Sequence, residues 1–225
     1  MTILYEDNHI IAVNKASGEI VQGDKTGDKP LVETLKEYLK EKYQKPGNVF
    51  CGVVHRLDRP VSGVVLFAKT SKALARLNSM LQSHDIRKTY WAIVCNPPKE
   101  EEATLTHFLI RNEKQNKSYA YTTEKSGSKK AILSYSTKAK SERYTMLEIM
   151  LQTGRHHQIR CQLSHIGCVI KGDLKYGAKR SNPDSSISLH AREVEFIHPV
   201  SLENIKITAP VPSDNLWQTI SKSLK

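Results

Sequence analysis

A carboxylate set between two guanidinium groups is the first place in this sequence where residue types and spacing suggest chemistry. In Val53-Val54-His55-Arg56-Leu57-Asp58-Arg59-Pro60-Val61-Ser62-Gly63-Val64-Val65-Leu66-Phe67-Ala68, Asp58 occupies a short polar turn flanked by β-prone apolar runs. Pro60 fixes φ and removes a backbone donor, and Gly63 admits a geometry that a Cβ would forbid, so the turn is pre-shaped. An ionised carboxylate held this way suits nucleophilic or general-base work. The stretch alone is equally compatible with a structural salt bridge.

The second dense stretch is Thr153-Gly154-Arg155-His156-His157-Gln158-Ile159-Arg160. Placed on a helix, Arg155 and Ile159 share a face with Leu163, while His156 and Arg160 stack on the neighbouring face. An arginine from such a helix can grip a carboxylate through two parallel hydrogen bonds, keeping it ionised and aimed. Arg160 beside Asp58 is the expected pair, against the plain alternative of an ordinary helix-surface arginine. His156, His157 and His165 are read as ordinary helix-surface histidines, so no metal is expected. Ser62-Gly63 lacks the Gly-x-Ser-x-Gly elbow, and the glycines form no phosphate loop.

The elements that must position these residues read mostly as strands. Ile3–Tyr5 and Ile10–Asn14 flank a polar turn, and from Pro30 the residues Leu31, Leu35, Tyr38 and Leu39 form a helical stripe that fades near Lys45-Pro46-Gly47. Thr70-Ser71 can cap a helix with Leu74, Leu77 and Leu81 inward and Lys72, Arg76 and Asn78 on its other face. Lys88 to Cys95 is a strand that puts Tyr90, Ala92 and Val94 opposite Thr89, Trp91 and Ile93. The polar stretch from Lys99 to Ser128 reads as short strands and mobile loops. Tyr144–Leu151 alternates again, the Thr153-Gly154-Arg155 turn leads into a helix ending near Gly167, and Ile187–Ile197 and Ile205–Ala209 are strands. A last helix starts at Pro212-Ser213-Asp214. Strands that outnumber helices without regular alternation predict an α+β fold with a mixed, mainly antiparallel sheet and flanking helices.

The 225 residues fit one domain with an ordinary core, and no linker of repetitive composition divides them. The 34 basic residues outnumber 23 acidic ones, and the net charge of +11 favours a polyanionic partner. Cys51, Cys95, Cys161 and Cys168 match neither a zinc module nor a disulfide framework, which predicts reduced thiols. No signal peptide and no apolar run of membrane-spanning length is present. A cytoplasmic location follows as the expectation.

Taken in order, His55-Arg56-Leu57-Asp58 with Ser62-Gly63, Lys88-Thr89-Tyr90, Thr153 to Arg160, Ile166-Gly167 and Gly172-Asp173-Leu174-Lys175-Tyr176-Gly177 resemble the RluA-type pseudouridine synthases. The opening from Tyr5-Glu6-Asp7 to Val13-Asn14-Lys15 is similar too, so the resemblance spans nearly the whole chain. It implies a single catalytic domain with a central RNA-binding cleft, no S4 module, no cofactor and no metal. The implied reaction converts a uridine of structured RNA, ribosomal or transfer, to pseudouridine, in a monomer. By the same carry-over Asp58 is the catalytic carboxylate, Tyr90 stacks the target base and serves as base in the last proton removal, and Arg160 is the ion-pair partner of Asp58. Arg56 fills the gap left by the flipped nucleotide, and Arg155, His55 and Lys88 contact the RNA; Lys72, Arg76 and Arg87 are further candidates.

Ala16, Val61 and Cys161-Gln162 depart from the usual residues of that pattern but remove no catalytic candidate. A non-catalytic RNA-binding or assembly protein with the same fold is the alternative function. A retaining glycosidase would need a second carboxylate near Asp58, and no second acidic motif stands out.

Overall fold

Strand-forming runs pair into antiparallel ladders within two compact units, each assembled from two stretches of chain. The computed structural model describes residues 1–223. It places Met1–Ile86 with Ala191–Pro210 in the first unit, and Arg87–His190 with the segment from Val211 onward in the second. In chain order the elements are β1 (Thr2–Glu6), β2 (Ile10–Lys15), α1 (Leu31–Lys42), β3 (Gly52–Val53), β4 (Ser62–Ala68), α2 (Ser71–Gln82), β5 (Arg87–Val94), β6 (Glu102–Asn112), β7 (Lys117–Tyr121) and β8 (Lys129–Lys140). There follow β9 (Thr145–Leu151), α3 (Gln158–His165), a 3-10 turn (Leu174–Tyr176), β10 (Leu189–Ile197), β11 (Asn204–Thr208) and α4 (Asn215–Lys222). This is the α+β architecture with a mainly antiparallel sheet that the residue pattern predicts.

In the first unit the strands run β1-β2-β4-β10, with β3 beside β4 and β11 beside β10. The β2–β4 register pairs Ile10 with Ala68 and Lys15 with Gly63. One face packs Ile10, Ala12, Val64, Leu66 and Ala68 against Ala73 and Leu77 of α2. On the other face Ile11, Val13, Val65 and Phe67 are also wholly buried, which is why these strands read as continuous apolar runs. Thr70 caps α2 as expected, its hydroxyl accepting the Ala73 N–H at 3.1 Å. Leu74 and Leu81 pack against this cluster as expected, though only partly buried, and Ala73 and Leu77 are the wholly buried residues of the helix. Glu6 at the end of β1 accepts from Lys42, Lys69, Tyr38 and Tyr43 and so ties that strand to α1. Burial pushes its carboxyl up, but these donors outweigh it and bring the pKa down to about 2.

In the second unit the order is β5-β9-β8-β6-β7. Tyr176 and Cys161 of the α3 region pack on Leu109 and Ala131, and Trp217 and Ile220 of α4 pack on Ile93, Ala139 and Met146. Asp214 caps α4 by accepting from the backbone N–H groups of Leu216 and Trp217. Two expectations are corrected here. The stretch from Lys99 to Ser128, expected as short strands and mobile loops, contains the 11-residue β6 and the edge strand β7. The polar residues Thr104, Thr106, Lys129 and Lys130 fall at exposed positions of that ladder and mask its period. The third helix begins at Gln158, so Arg155 and His156 lie in the preceding turn rather than on its faces.

Gly63 has φ +116, and a Cβ there would sit 2.2 Å from the carbonyl oxygen of Ala191 in β10. Gly63→Ala is therefore expected to destabilise the protein by roughly 2–4 kcal/mol, through the strained φ and the displaced strand. Thermal or urea unfolding measures this, and a variant within about 0.5 kcal/mol of the parent would show that β10 does not press on β4 here.

Candidate active site

The Asp58 turn lies in the first unit. It closes through the Val61 N–H donating to the Asp58 carbonyl at 3.0 Å. Leu57 and Val61 are buried on either side and anchor it, leaving Asp58 and His55 half-buried and Arg56 exposed. The His55 Nε2 accepts the Leu66 N–H at 3.2 Å, which docks the approach to the turn on β4.

Lys15, the last residue of β2, has no exposed surface, yet a buried ammonium must find oxygens. Its Nζ donates to the carbonyls of Val61 at 2.7 Å, Ala16 at 2.9 Å and Arg59 at 3.1 Å. The Gly18 N–H also donates to the Arg59 carbonyl, and the Ser17 hydroxyl to that of Pro60. Every carbonyl from Arg59 to Val61 is thus held by the segment from Lys15 to Gly18. Burial pulls the Lys15 ammonium down to about 8, while the negative charges of Glu19 and Asp58 work to keep it protonated. Arg59 reaches the loop before α1, donating to Asp28 at 2.6 Å and to the Thr26 hydroxyl at 2.7 Å.

The second unit carries the remaining candidates. Tyr90 lies on β5 opposite Ile149, 8% exposed, on the face that also carries Lys88 and Ala92. Lys88 is half-buried, and burial lowers its pKa. Its ammonium neighbours the Thr153-Gly154-Arg155 turn: a Cβ on Gly154 would lie 3.6 Å from Nζ. Gln158 shapes that turn, its Oε1 accepting from the Thr153 hydroxyl at 2.8 Å and the Arg155 N–H at 2.9 Å, its Nε2 donating to the Ile132 carbonyl. Arg155 is exposed, with Nε donating to the Lys130 carbonyl at 3.0 Å.

Arg160 is buried rather than a helix-surface arginine. It donates through Nε and Nη2 to the two carboxylate oxygens of Asp173, at 2.7 and 2.9 Å, and its guanidinium lies 5.1 Å from the centre of the Tyr176 ring. Burial raises the Tyr176 phenol, whose oxygen accepts the Ser118 N–H and is hydrogen-bonded to His157 Nδ1. His157 itself stands in the left-handed region at φ 51 just before α3 and stacks on His156 at 3.8 Å. Sequence reasoning assigned no role to Lys15 or Asp173. The signal for Lys15 is a cation closely following the buried Ile10-Ile11-Ala12-Val13 run; for Asp173 it is an acid within the Gly172-Asp173-Leu174 block. Among the described residues no cluster of three or more His, Cys, Asp or Glu could hold a metal ion, and no helix is long and apolar enough to cross a membrane.

A family model described as RNA pseudouridylate synthase matches residues 9–165. Ribosomal large subunit pseudouridine synthase C of Buchnera aphidicola subsp. Baizongia pistaciae is 32% identical over 229 residues, spanning 99% of this chain and 70% of the relative. tRNA pseudouridine synthase C of Vibrio parahaemolyticus is 31% identical over 241 residues, spanning 98% of this chain and 93% of that protein. Among solved structures, human RNA Pseudouridylate Synthase Domain Containing 4 superposes with a TM-score of 0.80 at 19% identity, covering 99% of this chain and 92% of that one, a likeness of fold. The chain belongs to the RNA pseudouridylate synthase family. It is accordingly an RNA pseudouridine synthase, an isomerase whose substrate is RNA.

Breaking the Arg160–Asp173 pair from one side strands a buried carboxylate, so Arg160→Ala is expected to cost about 3–5 kcal/mol. Adding Asp173→Asn to that variant should recover part of the loss; a double-mutant cycle with no coupling would remove the pair from the stability of this unit. For Lys15 the native pKa of about 8 lies below the ordinary lysine value of 10.5. Between the two the unfolded chain holds more protons, so this group makes stability rise with pH. The parent should gain on Lys15→Met across that window in urea unfolding at successive pH values, and a constant difference would refute the assignment.

Proposed function

We propose that Asp58 is the catalytic carboxylate of this isomerase and that its target is one uridine in structured ribosomal or transfer RNA. The observation that carries the proposal is the Asp58 turn, whose carbonyls are pinned by a buried ammonium that the Asp58 charge itself helps to keep protonated. Such a turn presents an ionised carboxylate at a fixed place. The reaction breaks the C1′–N1 bond of the uridine, turns the uracil, and joins C1′ to C5; N1 gains a proton and C5 loses one. Nothing is oxidised or reduced, so no redox partner enters the balance. Asp58 acts on the reacting nucleoside with Arg160 as its ion-pair partner, and Tyr90 stacks the extruded base and takes the C5 proton.

A base that reacts at N1 and C5 must leave its helical stack, at a cost of a few kcal/mol that stacking on an aromatic ring offsets. Arg56, exposed two residues before Asp58, is the planar cation that occupies the vacated gap. Arg155, His55 and Lys88 contact the flanking nucleotides. The His55 Nε2 is engaged by the Leu66 N–H, so any RNA contact it makes uses the rest of the ring. The relatives named for ribosomal and for transfer RNA support both substrate classes. We assign the protein to the cytoplasm as a monomeric, single catalytic domain that needs no cofactor.

Asp58→Asn is expected to abolish pseudouridine formation while RNA binding stays within about twofold of the parent, since the side chain keeps its shape and loses only its charge. Mapping pseudouridines in RNA from cells with and without the protein identifies the target. Full turnover by Asp58→Asn would sink the catalytic assignment, and a parent protein that binds RNA without changing any uridine would favour the assembly role.

A further inference from the structure

We propose that the outer face of the β6–β7 hairpin, continued onto Lys130 of β8, is a docking track for an unpaired strand of the RNA substrate. The RNA identity of the ligand rests on the pseudouridine synthase reading; the track itself rests on the following geometry, all of it within the second unit.

The register places Tyr121 opposite Phe108 and Tyr119 opposite Ile110, and on the far side of Phe108 it places Lys130. Opposed residues share a face, so Tyr121, Phe108 and Lys130 form one row across three strands, with Tyr119 and Ile110 in the next. Their alternates Leu109, Ala120 and Ala131 point the other way, into the cluster with Cys161 and Tyr176. The rings are therefore not core residues showing an edge. Tyr119 is 39% exposed, and Phe108, Ile110 and Tyr121 are half-buried.

Cations accompany the rings. Lys117 Nζ stands 5.5 Å from the Tyr119 ring, and Lys125 Nζ 5.1 Å from the Tyr121 ring. Between residues 111 and 130 six basic residues face two acidic ones. Flat π faces beside phosphate-binding cations are what an unpaired strand needs, one surface for its bases and one charge set for its backbone. A duplex keeps its bases stacked on each other and offers nothing to Tyr119 or Tyr121. The register puts the row of Tyr121, Phe108 and Lys130 on the Thr89 and Trp91 face of the sheet, opposite to that of Lys88 and Tyr90, so the track holds a part of the strand other than the reacting nucleotide. None of these hairpin residues belongs to the proposed catalytic set, so their contribution is to substrate capture.

The test measures binding without turnover, by fluorescence anisotropy of a short labelled oligouridylate and of a blunt RNA duplex of equal length. Tyr119→Leu with Tyr121→Leu should weaken oligouridylate binding about tenfold or more and leave the duplex unchanged, whereas Tyr119→Phe with Tyr121→Phe should bind as the parent does. Lys114→Gln and Lys125→Gln together, both on exposed side chains, should flatten the slope of log K against log salt by about 1.4. In the isomerisation assay both loss variants should raise KM and keep kcat. Unchanged oligouridylate affinity in the leucine and glutamine variants overturns the track, as does an equal loss with phenylalanine or a parallel loss for the duplex. Concentration-dependent self-association that the leucine variant abolishes would assign the face to a second copy of the chain instead. An inactive parent that still shows these binding differences would defeat the catalytic reading and leave the track standing.

Discussion

A single ammonium with no access to water sets the geometry of the Asp58 turn. Lys15 sits at the end of a strand wedged between apolar faces, where an unsolvated charge is tolerated only when its protons are taken up. Three backbone carbonyls take them, two of them from the turn that carries Asp58. The turn cannot drift without stranding the charge, and the charge cannot leave without unpairing the carbonyls. The nearby carboxylate then adds an attraction that offsets part of the desolvation. A functional acid and the scaffold that holds it are in this way coupled through one lysine.

The second unit meets the same problem with a different kind of partner. Its buried cation is a guanidinium, and its partner is a side chain, Asp173, gripped through two parallel bonds. Because both members are side chains, the pair fixes orientation as well as position, and Tyr176 closes it from above while reaching to Ser118 and His157. The turn from Thr153 to Arg155 is then shaped from below by Gln158, an amide that satisfies a hydroxyl, an N–H and a carbonyl at once. The polar residues from Thr153 to Arg160 are therefore mostly occupied with structural contacts, and Arg155 is the one left exposed.

What the amino-acid order reveals follows from how local each interaction is. The stiffness of the Asp58 turn, the Thr70 and Asp214 caps and the alternation around Tyr90 all depend on neighbours within a few residues, and they read directly. Lys15 does not, because its partners are main-chain carbonyls, which every residue possesses and none advertises. Asp173 lies thirteen residues beyond Arg160, outside any helical spacing rule, so its pairing required the fold. The late start of α3 follows from His157, whose left-handed backbone interrupts what the residue types otherwise allow as a helix from Thr153. The long β6–β8 ladder was hidden for a different reason: one of its faces is wet, and exposed lysine and threonine there dilute the period that marks a strand. The resemblance to a known family supplied roles for Asp58, Tyr90 and Arg160 that no spacing argument could give.

The division of the chain has a consequence for biosynthesis. The first unit is begun by Met1–Ile86 and completed only by Ala191–Pro210, so 104 residues of the second unit intervene. At the ordinary pace of translation the ribosome needs roughly 5–20 s to make them. Throughout that interval the nascent first unit has β4 without its neighbour β10, and the contact that Gly63 keeps open for Ala191 is empty. The part of the β4 edge that β3 leaves uncovered is a template for pairing with the wrong strand. The first unit is thus completed only once Ala191–Pro210 has been made.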